Sequence, residues 1–291
     1  MTAPRDDAGP DRETLRSWLP SWGEGPATRS LVTFLAEATQ GPGAVPVEQR
    51  IAAFDNDGTL ACEKPETALA AFLRDRSALP TLGAHDTDGS LSGHEVLRRL
   101  AALCAGTTTE DYDTQASEFL ATARHPRFGR PYPTLTYRPM LELIAVLQRL
   151  QFRVYLCSDT SRDFLRTLAG PAYGLARDQV IGSEVRIRWQ DGQLIRSATP
   201  LPLDDGPGKP VHIWDRTGAR PLLAAGNAVG DIEMLEAARH ALVVHHDDPV
   251  REYAYDDPQI LTAAARHGWT VLSMRRDFTD LWSHPLPGHP R

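Results

Sequence analysis

Five short apolar runs are spaced along most of the chain. They cover residues 50–55, 153–158, 221–227, 241–246 and 270–274. Runs of this length that are apolar on both faces are typical of buried parallel strands. Helical patterns, such as residues 28–38, 140–150 and 231–239, occur between or before the runs. The alternation predicts an α/β fold whose core is a doubly wound, Rossmann-like parallel sheet.

The interval between the first two runs has a different pattern. It holds amphipathic segments at residues 66–79, 91–105 and 109–123 and no convincing strand. Ser92 and Glu95 have the spacing of a capping box that starts a helix. We therefore expect an inserted helical cap at residues 62–138. The α/β core then comprises residues 13–61 and 139–282, with mobile tails at 1–12 and 283–291.

One further segment, residues 180–197, alternates in part between apolar and polar positions. Asp191-Gly192 supplies a turn signal within it. This pattern predicts a β-hairpin.

Composition narrows the possible partners. The 291 residues are 41% hydrophobic and 24% charged, and 31 basic against 38 acidic side chains give a formal charge of −7. An acidic chain without a basic stripe is poorly suited to nucleic acid. No run approaches the roughly 20 apolar residues of a membrane span. The start lacks the cations and apolar run of a signal peptide, and the three cysteines are widely spaced. We expect a cytoplasmic monomer or homodimer.

Two aspartates separated by one residue follow the first apolar run directly. The segment reads Phe54-Asp55-Asn56-Asp57-Gly58-Thr59-Leu60. The turn at a strand end brings both carboxylates to one site, where Asp55 can attack phosphorus and Asp57 can protonate the leaving oxygen and then activate water. Gly58 permits the tight turn, and Thr59 offers a hydroxyl and an amide to the transferring group. The structural alternative is an Asx-rich turn that only ends a strand.

Residues that suit phosphoryl transfer also follow later runs. Ser158 ends the second run, and Lys209 supplies a cation in a Gly-Pro-Gly-Lys-Pro loop. Asn227 at the end of the third run and Asp231 just beyond it carry the hard oxygen ligands that Mg²⁺ accepts. Each residue alone has an ordinary explanation as a solvated serine, a turn or a helix cap. Their joint order, mostly at strand ends, favours one phosphate site.

The segments FDNDGTL, LCS, Lys209 and GNAVGD stand in the order of the four motifs of the haloacid dehalogenase superfamily. The chain resembles a member of that superfamily over most of its length, and the helical insert resembles the cap of the phosphoserine phosphatase-like branch. The resemblance implies a Mg²⁺-dependent phosphatase that hydrolyses a small-molecule phosphate monoester through an aspartyl phosphate.

The resemblance also implies roles for single residues. Asp55 would be the nucleophile and Asp57 the general acid/base. The substrate-binding residues would be Thr59, Ser158 and Lys209. The metal ligands would be Asp55, Asp57, Asn227 and Asp231. Asp57 separates a phosphatase from a dehalogenase, since expelling a halide needs no proton donor at that position.

The motifs depart from the family pattern at two positions. The fourth begins Gly-Asn at Asn227 where Gly-Asp is common, so one negative charge is missing and weaker metal binding is expected. The second continues with Asp159, whose carboxylate must point away from phosphate or bond to its own backbone. Glu63 and Glu66 lie near the position of a substrate-binding glutamate but at a different spacing, so phosphoserine specificity does not follow.

Two other functions fit the same residues. A phosphomutase would form the same Asp55 intermediate but return the phosphate to bound product. A catalytically weak, binding or regulatory family member is the non-enzymatic alternative, and the intact acidic and basic motif residues count against it.

Two remaining features have structural interpretations. Residues 245–248, His-His-Asp-Asp, are interpreted as a polar loop and not as a metal site. Trp18 and Trp22 are expected to hold the N-terminal segment onto the domain.

Overall fold

The computed structural model describes residues 9–77 and 93–284. Within them lie a six-stranded parallel sheet and a separate two-stranded antiparallel hairpin. The strands are β1 Ile51–Phe54, β2 Arg153–Ser161, β3 Val180–Ser183, β4 Val185–Gln190, β5 Gln193–Pro200, β6 Leu223–Gly226, β7 His240–His245 and β8 Thr270–Ser273. The α/β class and all five strands expected from the apolar runs are confirmed.

Helices flank the sheet and occupy much of the described part of the interval between β1 and β2. They are α1 Arg12–Ser17, α2 Pro26–Thr39, α3 Ala68–Ser77, α4 Gly93–Leu103, α5 Thr109–Thr122, α6 Arg138–Arg149, α7 Arg162–Tyr173, α8 Gly208–Thr217, α9 Ile232–Ala237, α10 Pro258–His267 and α11 Met274–Asp277. None of the helices in the described ranges is both long and apolar enough to cross a membrane.

The strand order in the sheet is β3-β2-β1-β6-β7-β8. The chain moves outward from β1 to β3, returns to the centre at β6 and moves outward again to β8. The order therefore reverses between β1 and β6. In open α/β sheets, ligands bind in the crevice at the carboxyl ends of the strands where this reversal occurs.

Both faces of the sheet are covered, which explains why its strands read as continuous apolar runs. Along β1, Ala52 and Phe54 belong to the core shared with α2, α6 and α7. Ile51 and Ala53 point to the opposite face and join the core shared with α8, α9 and α10. All four side chains are fully buried. This double burial makes the end of β1 a rigid support for the residues that follow.

The helical insert packs directly on the core beside β2. Phe72 of α3 contacts Phe164 of α7, with ring centroids 5.4 Å apart, and Tyr112 of α5 at 6.0 Å. The hairpin extends this layer, because the Arg196 amide of β5 donates to the Thr107 carbonyl at 2.9 Å. The proposed capping box includes Ser92, which lies outside the described residues.

The predicted hairpin at residues 180–197 is partly wrong. Val180–Ser183 is the edge strand β3 of the parallel sheet, and only β4 and β5 form the hairpin. Asp191 and Gly192 make the turn with positive φ angles of 50° and 82°, as the sequence suggested. Local alternation cannot distinguish pairing with a neighbouring hairpin strand from pairing with β2, because partner choice depends on distant residues.

The N-terminal segment is anchored as expected. Trp22 is fully buried, and its indole N–H donates to the Pro139 carbonyl at 2.8 Å. Helix α1 begins at Arg12 and is capped by the Asp11 carboxylate, so this helix and its cap reach into the segment expected to be a tail.

Candidate active site

Two of the predicted site residues, Asp55 and Asn227, lie at the point where the strand order of the sheet reverses. Asp55 follows β1 and Asn227 follows β6, and these two strands are hydrogen-bonded neighbours. The Asp55 amide donates to the Ala225 carbonyl at 2.9 Å, which ties the residue to the adjacent strand. The Asp55 side chain is buried at the crevice. Because the Asp55 side chain is buried and its backbone is bonded to the neighbouring strand, the carboxylate is held more firmly than it would be in a surface turn.

Lys209 joins two of the predicted carboxylates. Its Nζ donates to Asp55 Oδ1 at 2.9 Å and to Asp231 Oδ1 at 2.5 Å. Burial opposes the ammonium charge, but Asp231 and Asp55 outweigh it and raise the pKa of Lys209. Burial also raises the pKa of Asp55 well above its ordinary value, although Lys209 opposes that rise. Lys209 is therefore a buried cation shared by two acids.

The loop expected around Lys209 is wrong, because the residue lies in the first turn of α8. The Gly-Pro-Gly sequence before it reads as a turn, yet Gly208 already belongs to the helix. A helix holds the Lys209 backbone in place, which suits a side chain that must hold two carboxylates.

Asp231 is anchored by the chain around it. Its Oδ2 accepts the backbone N–H groups of Asn227 at 2.9 Å and Ala228 at 3.0 Å. A Cβ at Gly226 would lie 2.5 Å from the Asp231 Cβ, so this close approach requires glycine. Asp231 thus keeps only Oδ1 for Lys209 or a ligand.

Asp57 has the environment of an acid/base group. Thr160 donates its hydroxyl to Asp57 Oδ2 at 2.7 Å. Burial raises the pKa of Asp57 to about 6, the Thr160 hydrogen bond opposes the rise, and the nearby Glu63 carboxylate adds to it. A group with a pKa near the working pH can both donate and accept a proton.

Asn227 is tied to the turn after β1. Its Oδ1 accepts the Thr59 hydroxyl at 3.0 Å, and its Nδ2 donates to Glu63 Oε1 at 3.2 Å. Gly58 has a φ of +79°, and a Cβ there would lie 2.1 Å from Asn227 Nδ2. The Thr59 amide donates to the Asn56 carbonyl at 3.2 Å. Both Thr59 groups that the sequence assigned to the transferring phosphate are therefore engaged within the protein.

Ser158 does not end its strand, contrary to expectation, since β2 continues to Ser161. It is fully buried, and its Oγ accepts the Thr160 amide at 3.3 Å. The register against β3 shifts between Ser158 and Ser161. Such an irregularity redirects side chains, and here it accompanies the Thr160 contact with Asp57. The Asp159 side chain is exposed to solvent, but its carboxylate stays near the site: desolvation raises its pKa to about 7, and the charges of Lys209 and Asp57 act on it.

The predicted metal ligands divide into two pairs. Asp55 and Asp231 both reach one nitrogen, whereas the side chains of Asp57 and Asn227 have partners elsewhere. Within residues 9–77 and 93–284, no group of three or more His, Cys, Asp or Glu side chains forms a metal cluster. Mg²⁺ in proteins often takes only one or two carboxylates and keeps several waters. Two buried acids that share a single lysine leave an excess negative charge, so the residues fit a divalent cation.

Sequence reasoning missed Thr160 and Tyr255, and it singled out Glu63 without the contacts that place it in the site. Thr160 contacts Asp57, and Glu63 accepts hydrogen bonds from Asn227 and from the Tyr255 hydroxyl. Thr160 follows Ser158 by two residues, which would have been a signal had the strand been expected to continue. Tyr255 lies almost 200 residues from Glu63, and no local pattern connects them.

The parallel sheet and its carboxylate-lined crevice define the class, a Rossmann-like α/β protein with a ligand site at the carboxyl ends of its strands. A family model described as haloacid dehalogenase-like hydrolase matches residues 52–236. The chain belongs to this family, and the family expected from the four motifs is confirmed. No curated protein matches the chain at a significant level.

Solved structures show the same fold at low sequence identity. A functionally unknown protein from Anaerococcus prevotii DSM 20548 has a TM-score of 0.61 and 12% identity, covering 90% of this chain and 97% of its own. A protein of unknown function from Bordetella pertussis Tohama I has a TM-score of 0.54 and 17% identity, covering 78% and 99%. A HAD family hydrolase from Salmonella enterica subsp. enterica serovar Typhi has a TM-score of 0.50 and 17% identity, covering 88% and 78%.

Proposed function

We propose that the protein is a Mg²⁺-dependent phosphatase that hydrolyses a small-molecule phosphate monoester through a phosphorylated Asp55. The observation that carries the proposal is the arrangement of two carboxylates with different environments at the reversal point of the sheet. Asp55 is held by a lysine, and Asp57, two residues later, has a pKa of about 6.

The reaction has two steps. In the first, an Asp55 carboxylate oxygen bonds to phosphorus, the bond from phosphorus to the ester oxygen breaks, and Asp57 gives its proton to that oxygen. In the second, Asp57 takes a proton from water, the water oxygen bonds to phosphorus, and the bond to Asp55 breaks. Inorganic phosphate leaves, and Asp55 and Asp57 return to their starting states.

Charge neutralisation supports both steps. Phosphoryl transfer depends mainly on positioning and on electrostatic stabilisation of the transferring group. Lys209 lies beside Asp55 and is placed to offset phosphoryl charge. Asp55 and Asp231 would hold Mg²⁺, with Asp57 and Asn227 as further candidate ligands. When bound, the ion would reduce the repulsion between the Asp55 carboxylate and the phosphate.

The helical insert supports a small substrate. The described parts of the proposed cap, residues 62–77 and 93–138, pack beside the carboxyl end of β2, and the hairpin is joined to them. A cap that closes over such a crevice excludes water and selects the leaving group. The three free, buried cysteines suit a reducing, cytoplasmic setting.

A phosphate-release assay tests the proposal. Purified protein with Mg²⁺ is screened against sugar phosphates, amino-acid phosphates and nucleotides. Asp55→Asn should abolish release from every monoester, because an amide is a poor nucleophile for phosphorus. Asp256→Asn is a matched control, since that carboxylate is exposed and pairs only with His245 among the described residues. Equal activity of the two variants would place the nucleophile elsewhere. Transfer of phosphate to product without release would instead indicate a mutase.

A further inference from the structure

His246 lies apart from the four motifs in sequence but contacts the first of them. The side chain is 2% exposed. Its Nε2 lies 2.7 Å from the Gly58 carbonyl oxygen, and its Nδ1 lies 3.0 Å from Glu252 Oε2. A residue interpreted as part of a polar loop therefore reaches the turn between Asp57 and Thr59.

The protonation at Nε2 follows from its partner. A backbone carbonyl oxygen only accepts hydrogen bonds, so Nε2 must carry a proton and donate it to Gly58. Glu252 is fully buried, and its other oxygen, Oε1, accepts the Cys62 thiol at 3.0 Å. The Tyr255 ring stacks on the imidazole at 4.3 Å. These contacts fix the ring and aim Nε2 at the turn.

Gly58 is the position in the turn that most needs such a partner. Glycine has more backbone freedom than any other residue, and its φ here is +79°. The turn is closed by amides of residues 58–61, including Leu60 to the Asn56 carbonyl at 2.8 Å. Rotation of the peptide after Gly58 would break that pattern and move the Asp57 carboxylate relative to Asp55.

We propose that His246 is a positioning residue for the reaction, which holds the turn after β1 so that Asp57 stands correctly toward the leaving group. The inference rests on the proposed phosphatase function. Pairing with Glu252 alone would not explain the position of His246. The imidazole connects Glu252 to the Gly58 carbonyl, and of these two groups only Gly58 belongs to the site.

Two substitutions separate these roles. His246→Gln places an amide donor where Nε2 stood and keeps a hydrogen bond to Gly58. His246→Asn is shorter, and its amide stands near the position of Nδ1, toward Glu252. His245→Asn is the matched control, since the neighbouring His245 is partly exposed and bonds to Asp256 at 2.7 Å.

The kinetic result expected is specific to the leaving group. His246→Asn should lower kcat on an alkyl phosphate by about 10²-fold with KM unchanged, the size expected for a misplaced group. In single-turnover measurements it should slow p-nitrophenol release from p-nitrophenyl phosphate less than alcohol release from the alkyl ester, because the p-nitrophenolate leaving group needs little protonation. His246→Gln should regain most of the activity, and His245→Asn should match the unaltered protein. Equal losses in the single-turnover release rates of the two leaving groups, a raised KM, or better activity in the Asn variant than in the Gln variant would overturn the proposal.

Hydrogen exchange measured by mass spectrometry supplies a readout that needs no activity. In His246→Asn the amides of residues 58–61 should exchange faster, while those of residues 154–156 in β2 stay unchanged. Unchanged exchange in the turn would overturn the positioning role. If the unaltered protein released no phosphate from any ester, the phosphatase proposal would fail, and the exchange data would still decide whether His246 holds the turn.

Discussion

Replacing Lys209 with methionine is the sharpest test of the electrostatics of the site. The lysine side chain is 3% exposed and bridges Asp55 and Asp231. Methionine keeps a flexible, unbranched apolar stem and removes the charge. In the absence of metal, two carboxylates then remain buried with no cation between them.

The expected loss of stability is large. Breaking a buried ion pair by removing one partner costs about 3–5 kcal/mol in the free energy of unfolding. For a chain of this size each kcal/mol shifts the melting temperature by about 2–4 °C, so a fall of roughly 10 °C is expected. Burial already raises the pKa of Asp55, and losing Lys209 raises it further. The folded variant therefore binds a proton more tightly than the unfolded chain does. Its deficit in the free energy of unfolding should shrink as the pH falls from 7 toward 4.

Denaturant unfolding in EDTA at pH 7 and pH 5 measures this effect. Lys64, the other lysine in the chain, is the matched control. It lies over the Tyr255 ring at 4.7 Å, and Lys64→Met should cost about 1 kcal/mol or less. Adding Asp231→Asn to Lys209→Met should recover at least half of the loss, because one carboxylate is neutralised. A Lys209→Met variant within about 1 kcal/mol of the unaltered protein, or strictly additive effects in the double variant, would show that Lys209 does not stabilise the two carboxylates.

Two further outcomes follow from the site. Asp57→Asn should stabilise the metal-free protein at pH 7, because the variant removes a carboxylate whose pKa is about 6 in the fold instead of 3.8. That rise is worth about 3 kcal/mol at 1.4 kcal/mol per pKa unit. Solvent around the partly exposed side chain reduces the gain to about 1 kcal/mol. Since both states carry the proton below about pH 4, the gain should vanish there, and a gain independent of pH would contradict the assignment. Phosphatase activity should require Mg²⁺ and be inhibited by Ca²⁺, whose larger coordination shell can engage both oxygens of Asp55. Full activity after exhaustive chelation would reject the metal role.

The parts of the fold that the sequence predicted are those that local pattern determines. The strand before Asp55 is buried on both faces, so its apolar run is continuous and easily recognised. The turn after it needs Gly58 because of a positive φ angle and the nearby Asn227 side chain. The apolar run is a pattern within a few neighbouring residues, and the glycine requirement restricts a single position to one residue type. Both can therefore be recognised from the sequence.

The parts that were missed depend on contacts between distant segments. Lys209 lies in a helix although the glycines and proline around it favour a turn, and its position is set by Asp55 and Asp231. Val180–Ser183 pairs with β2 and not with the hairpin. His246 reaches the site through the Gly58 carbonyl, 188 residues earlier in the chain. None of these partners can be found from spacing along the chain.

The central claim is that phosphate is transferred to Asp55. The most direct measurement uses Asp57→Asn with p-nitrophenyl phosphate and Mg²⁺, quenched in acid and digested for mass spectrometry. The leaving group needs little protonation, so Asp55 should still be phosphorylated. Hydrolysis of the intermediate should slow by about 10²- to 10⁴-fold, because the group that activates water is missing. We predict one added phosphoryl group on the peptide that contains Asp55. Equal loss of activity on alkyl and p-nitrophenyl esters, with no phosphorylated peptide, would contradict it.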